Sequence, residues 1–128
     1  MEYTLFLDTN ALLSLQNAAF KEKFVIAQKT LEEIESIKSS GLKDNEIKFK
    51  ARKIAHLLDE NYGYYEVVSY SNKIKDIIVD HNLLETPDNI ILATALFYNK
   101  TNPIIVCTDD LNCKFISRNI FDLPTKGV

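Results

Sequence analysis

Five acids stand where apolar runs of this sequence give way: Asp8 in LFLDTNALL, Glu33 in TLEEIESIK, Asp88 in ETPDNIILATAL, and Asp109 and Asp110 in PIIVCTDDLNC. Alone, each has an ordinary structural use. Asp8 and either Asp109 or Asp110 can cap a helix. Glu33 can close a capping box with Thr30, and Asp88 can sit in a first helical turn, where the helix dipole favours negative charge. Gathered at one place, they would do something else. Like charges crowded together must take up protons or hold a cation. Carboxylate oxygens with no soft donor among them suit Mg²⁺ or Mn²⁺. Such an ion lowers the pKa of a bound water and offsets the charge that builds on a phosphate under attack. The chemistry implied is hydrolysis of a phosphodiester. No Ser–His or Cys–His arrangement competes with it, and His56 and His81 read as surface or structural residues of helices.

The elements must bring these acids together. Tyr3 to Leu7 (YTLFL) is a short run of strand formers and reads as a buried first strand. Asn10 to Phe20 reads as helix and Phe24 to Ala27 as a second strand. Thr30 to Gly41 reads as a helix opened by the Thr30–Glu33 capping box. NEIKFKARKIAHLLDENYG carries Ile47, Ala51, Ile54, Ala55 and Leu58 on one helical face, and Gly63 follows it. Tyr64 to Tyr70 alternates as a half-buried strand does, and Ser71 to His81 reads as a polar helix. Thr86 and Pro87 open an apolar helix that runs to about Asn99. Pro103 to Thr108 is continuously apolar, as a central parallel strand should be. A last helix and a tail or short edge strand (DLPTK) follow.

This alternation predicts a three-layer α/β/α sandwich with a mostly parallel central sheet. In such a sheet the ligand site lies outside the carboxyl ends of the strands. Asp8 ends the first strand and Asp109–Asp110 end the PIIVC strand, while Glu33 falls on the first turn of the helix after the second strand. Asp88 follows a helix and not a strand, so this rule does not by itself bring it to that edge.

The chain has 128 residues and reads as a single domain over 1–128, large enough for a core of its own. No apolar run approaches the roughly 20 residues of a membrane span. Glu2 and Asp8 make the opening unlike a secretion signal, so the expected location is cytoplasmic. Cys107 and Cys113 are too far apart for a CxxC pair and fit free thiols. A net charge of −3 argues against binding through bulk phosphate contacts, yet it suits a site that holds divalent cations. Nine of the fifteen Lys and Arg fall between Lys21 and Lys53, which reads first as a solvated helical surface and second as the segment that would meet a nucleic-acid backbone. The aromatic cluster NYGYY reads as a turn feeding a strand with buried rings, ahead of a base-stacking platform.

LFLDTNALL, LEEIESIK, PDNIILATAL and VCTDDLNCKFIS together resemble the four acidic motifs of PIN-domain nucleases. They look most like the PIN domains found beside PhoH-type ATPases, over about Tyr3 to Pro124. The resemblance implies that Asp8, Glu33, Asp88 and Asp110 are the catalytic acids and metal ligands, for Mg²⁺ or Mn²⁺. It implies Asn10, Thr108 and Asn112 as polar partners of the site. Asp109 is an extra acid that leaves the fourth ligand ambiguous by one position. The function implied is a metal-dependent endoribonuclease acting on single-stranded RNA. Many such relatives are toxins held by an antitoxin, and homodimers are frequent. No P-loop sequence occurs among these residues, so they hold no ATPase half; a stand-alone protein and an excised domain both fit that, and a PhoH-type ATPase is one expected partner. Two other readings stand beside this one. A non-catalytic PIN-like scaffold would keep the acids only as caps and bind RNA or a protein. A phosphatase-like hydrolase with Asp8 as nucleophile would usually carry a second acid where this chain has Asn10.

Overall fold

The structure is a computed structural model and describes residues 2–128. The strands are β1 (Thr4–Leu7), β2 (Phe24–Ala27), β3 (Glu66–Val68), β4 (Ile104–Cys107) and β5 (Thr125–Lys126). The helices are α1 (Thr9–Leu15), α2 (Gln28–Ser39), α3 (Asn45–Glu60), α4 (Asn72–Asp80), α5 (Pro87–Asn99) and α6 (Leu111–Asn119), with a 3₁₀ turn over Gln16–Lys21. The sheet order is β3-β2-β1-β4-β5, and every pairing is parallel. The closing DLPTK segment is thus an edge strand.

Strand side chains alternate between two cores, which makes the molecule three layers deep. Phe6, Val25, Ala27, Val68, Ile104 and Val106 pack on one side with residues of α4, α5 and α6. Leu7, Phe24, Ile26 and Cys107 pack on the other with α1, α2 and α3. The expected sandwich is the one observed. Strands buried on both faces need apolar residues at every position, which is why these read as continuous runs. Ile54 of α3 is wholly buried in the second core. Ile54→Val should cost about 1 kcal/mol of unfolding free energy, measured by urea denaturation, because one methyl is lost from a packed site.

Local expectations differ from the structure in four places, the first being the strand expected over 64–70, which forms only at Glu66–Val68. The helix expected over 10–20 breaks at Gln16, whose φ is +49°. The Gln16 side-chain amide donates to Leu13 O at 2.7 Å and to Lys50 O at 3.0 Å, so a contact with α3 holds this turn. The helix expected to open at Thr30 begins at Gln28, with Ala27 as its N-cap and no side-chain cap. No Thr30–Glu33 capping box forms, and Thr30 lies buried inside the helix. The 71–81 helix is α4, and its Ile74, Ile77 and Ile78 are buried, so it is less polar than its sequence suggested. Of the NYGYY rings expected to be buried, Tyr65 stacks on Phe24 with centroids 5.4 Å apart and Phe20 meets both, whereas Tyr62 is exposed to solvent.

Three features of this fold position the acids. The chain turns to β2 on one side of β1 and comes back as β4 on the other, so a crevice opens past the carboxyl ends of β1 and β4. Asp8 and Thr108 directly follow those two strands, and the Asp8 amide donates to Cys107 O across the gap. α5 leads by a short link into β4, so its far end, with Asp88, must lie at the carboxyl edge.

Candidate functional site

Asp8, Glu33, Asp88 and Asp110 all line one cavity of about 350 Å³, together with Asn10, Lys29, Glu32 and Lys43. Four separate segments contribute these acids. Each acid is held differently.

Asp8 is the N-cap of α1, and its Oδ1 accepts from the Ala11 amide at 2.7 Å. Its other oxygen accepts from the Thr108 hydroxyl. Asp110 is the N-cap of α6, its Oδ1 accepting from the Cys113 amide at 2.8 Å. Its own amide donates to the Thr108 hydroxyl at 3.0 Å, so Thr108 links the two caps. Asp88 stands in the first turn of α5, behind the Thr86 cap and Pro87. Glu33 lies in the second turn of α2. The Thr9 hydroxyl donates to its Oε1 at 2.6 Å and stands 3.1 Å from the Thr30 hydroxyl. The simple capping role is therefore present for Asp8 and Asp110, but it uses one oxygen of each. Glu33 has no capping role and is instead oriented from another helix.

Asp109 turns elsewhere. Its Oδ1 accepts from the Val128 amide at 2.9 Å, and a Cβ at Gly127 would come within 3.1 Å of it. It ties the tail and does not line the cavity, whereas Asp110 does. Asn112 is exposed on α6 and is not among the cavity residues either. Asn10 lines the cavity and is exposed.

The electrostatics bear the marks of crowding. Asp8 is only 5% exposed. Burial pushes its carboxyl above the ordinary 3.8, the Thr108 and Ala11 hydrogen bonds pull it down, and the charges of Asp88 and Asp110 push it up again. Asp88 is raised as well, first by desolvation against the cavity wall and then by Asp110. An acid raised in the folded state binds protons that the unfolded chain has already released. Stability must then fall as pH rises from 3.8 through the raised value, and remain lower above it. Accordingly, the melting temperature of metal-free Asp8→Asn should gain on that of the parent as pH rises from 3.8, and the gain should level off above the raised pKa. Calorimetry across that range measures it. A constant difference would mean that Asp8 is not perturbed.

Residues 5–119 match the PIN domain family. The chain belongs to the PIN-domain family. PIN domains are generally metal-dependent nucleases. No curated protein matches the sequence. Among solved structures, this PIN domain is similar to VapBC2 from Rickettsia felis bound to a DNA fragment from their promoter. That likeness has a TM-score of 0.63 at 15% identity and covers 97% of this chain and 98% of the other. It is also similar to FitAB bound to the IR36 DNA fragment, with a TM-score of 0.63 at 14% identity, over 97% and 94% of the two chains. At such identities the likeness speaks for the fold.

The cavity's donors fit a hard divalent ion. Four carboxylates line the cavity, Asp88 and Asp110 forming the close pair with Asp8 and Glu33 outside that cluster, and Asp8 and Asp88 are held at raised pKa by burial and by their neighbours' charge. One donor was not expected. The Cys113 sulfur and oxygens of Asp88 and Asp110 all lie within 4.8 Å of one another. Burial and then the charges of Asp88, Asp110 and Asp8 push the Cys113 thiol well above its usual range, which keeps it protonated and a weak ligand. Sequence reading also missed Thr9 and Thr30. Thr30 carried only a misleading capping signal and Thr9 only its place in LFLDTNALL, because their role depends on α1 and α2 meeting. Lys29 and Lys43 do belong to the basic segment anticipated from the sequence.

Proposed function

We propose that this PIN domain is an endoribonuclease that hydrolyses phosphodiester bonds of single-stranded RNA with Mg²⁺ or Mn²⁺. The single observation that carries the proposal is the convergence of Asp8, Glu33, Asp88 and Asp110, from four segments, on one cavity. In this reading these four carboxylates hold the ion. When bound, the ion would supply Lewis acidity, activating a water and offsetting charge on the phosphate. The chain's own residues do the rest. Thr108 fixes Asp8 against Asp110, and Thr9 fixes Glu33, so the ligands are set before the ion arrives. Lys43 stands on the cavity wall, where it balances the charge of a phosphate chain entering an acidic site, while Lys29 beside it is paired with Glu32 at 3.5 Å. Asn10 is placed to orient a ligand or water at the same wall.

The finer reading is that of a toxin neutralised by an antitoxin subunit. VapBC2 and FitAB, whose folds are similar, favour such a partner over a PhoH-type ATPase. Among the described residues, no helix is long and apolar enough to cross a membrane.

A fluorescent single-stranded RNA incubated with the protein and Mn²⁺ tests the activity. Cleavage that stops with a chelator and returns with excess Mn²⁺ is the expected result. No cleavage with Mg²⁺ or Mn²⁺ would remove the proposal. One observation favours the non-catalytic scaffold instead: Asp8 and Asp110 do cap helices. Under that reading Mn²⁺ should leave the melting temperature unchanged at millimolar concentration. Under the nuclease reading it should raise it, since an ion bound only by the folded state stabilises it.

A further inference from the structure

A second, smaller cavity opens beside the acidic one and shares Lys29 and Glu32 with it, so the two are parts of one groove. Its volume is about 190 Å³, room for one planar ring and not for a folded chain. Gln28, Tyr70, Glu85 and Ile90 complete its walls.

Tyr70 is held at both ends. Its amide donates to Gln28 Oε1 at 2.8 Å, and its hydroxyl donates to Glu85 Oε1 at 3.1 Å. The Gln28 amide donates in turn to Glu32 Oε2 at 3.0 Å. Two carboxylates thus face one ammonium, and that ammonium, Lys29, already lies 3.5 Å from Glu32. A phosphate would be repelled here. A flat ring rich in N–H donors would not be. It can pack on Tyr70 and Ile90 and donate to a carboxylate that keeps spare lone pairs. Guanine, alone among the four RNA bases, carries adjacent ring and exocyclic N–H donors that match the two oxygens of a carboxylate.

We propose that this cavity is a nucleobase subsite for a guanine beside the scissile phosphate, with Tyr70 and Ile90 against the ring and Glu85 accepting from its N–H edge. The subsite rests on the ribonuclease reading and adds to it the base that is chosen.

The test uses two single-stranded oligouridylates, one with a single central guanosine, cleaved with Mn²⁺ by the parent, Glu85→Gln and Tyr70→Ala. The parent should cut at a phosphate flanking the guanosine about tenfold faster than at a step between uridines, the discrimination of one good bidentate contact. Glu85→Gln should bring that ratio close to one. Tyr70→Ala should raise KM for the guanosine-containing oligomer more than for the uridine one. A parent ratio near one, or a ratio that survives Glu85→Gln, would overturn the subsite while leaving the ribonuclease standing. Failure to cut either oligomer with any divalent ion would remove both.

Discussion

Asp8→Asn should lower metal-dependent RNA cleavage by at least about a hundredfold while the protein stays folded. The reasons lie in how Asp8 is held. It is the most buried of the four acids, and the charges of both Asp88 and Asp110 press on it. It is also the acid next to the crevice between β1 and β4. Asparagine keeps an oxygen for the Ala11 amide, so the cap on α1 survives. It removes the negative charge that an ion needs. The metal-free variant should be no less stable than the parent at neutral pH, because a carboxylate held above its ordinary pKa costs folding energy when ionised. The expected pattern is lost cleavage, a lost Mn²⁺-induced rise in melting temperature, and an unchanged circular dichroism spectrum. Retained Mn²⁺-dependent cleavage would mean that Asp8 is a cap and nothing more.

Thr108→Val should act on the same site from one step away. The hydroxyl is wholly buried, donates to Asp8 and accepts from the Asp110 amide at 3.0 Å. Valine keeps the shape and leaves a buried acceptor and a backbone donor without their partner, at a cost of about 1–3 kcal/mol. The Thr108 hydrogen bond also pulls the Asp8 carboxyl down, so its loss raises that pKa further. Protons then compete with the ion at higher pH. Cleavage should fall at neutral pH and recover as pH rises, with the pH–rate profile displaced upward relative to the parent. Thr108→Ser, which keeps the hydroxyl, should behave as the parent. A plain loss of stability with an undisplaced profile would leave Thr108 as a packing residue.

The sequence carried the architecture because parallel strands buried on both faces must be apolar throughout. β1, β2 and β4 could be read directly for that reason. α5 was legible from Thr86 and Pro87, whose chemistry is local. What escaped was tertiary. Nothing near Gln16 in the chain says that its amide will reach Lys50 O and break a helix. Ala27 is a poor N-cap, so the true start of α2 gave no signal, and Thr30 supplied a false one. Asp88 could have been brought to the carboxyl edge by reasoning backwards from β4, since α5 must end where that strand begins. Asp110 was preferred to Asp109 by the family resemblance alone, since nothing in the two residues themselves separates them. Their difference comes from the tail, where Val128 holds one and leaves the other to the cavity.

We propose that Asp8, Glu33, Asp88 and Asp110 form one site for a divalent ion. An anomalous difference map from a crystal soaked in millimolar Mn²⁺ tests it most directly. It should contain a peak among the oxygens of those four side chains, and the peak should be missing in Asp8→Asn. Strong Mn²⁺ peaks elsewhere on the molecule with none in this cavity would contradict it.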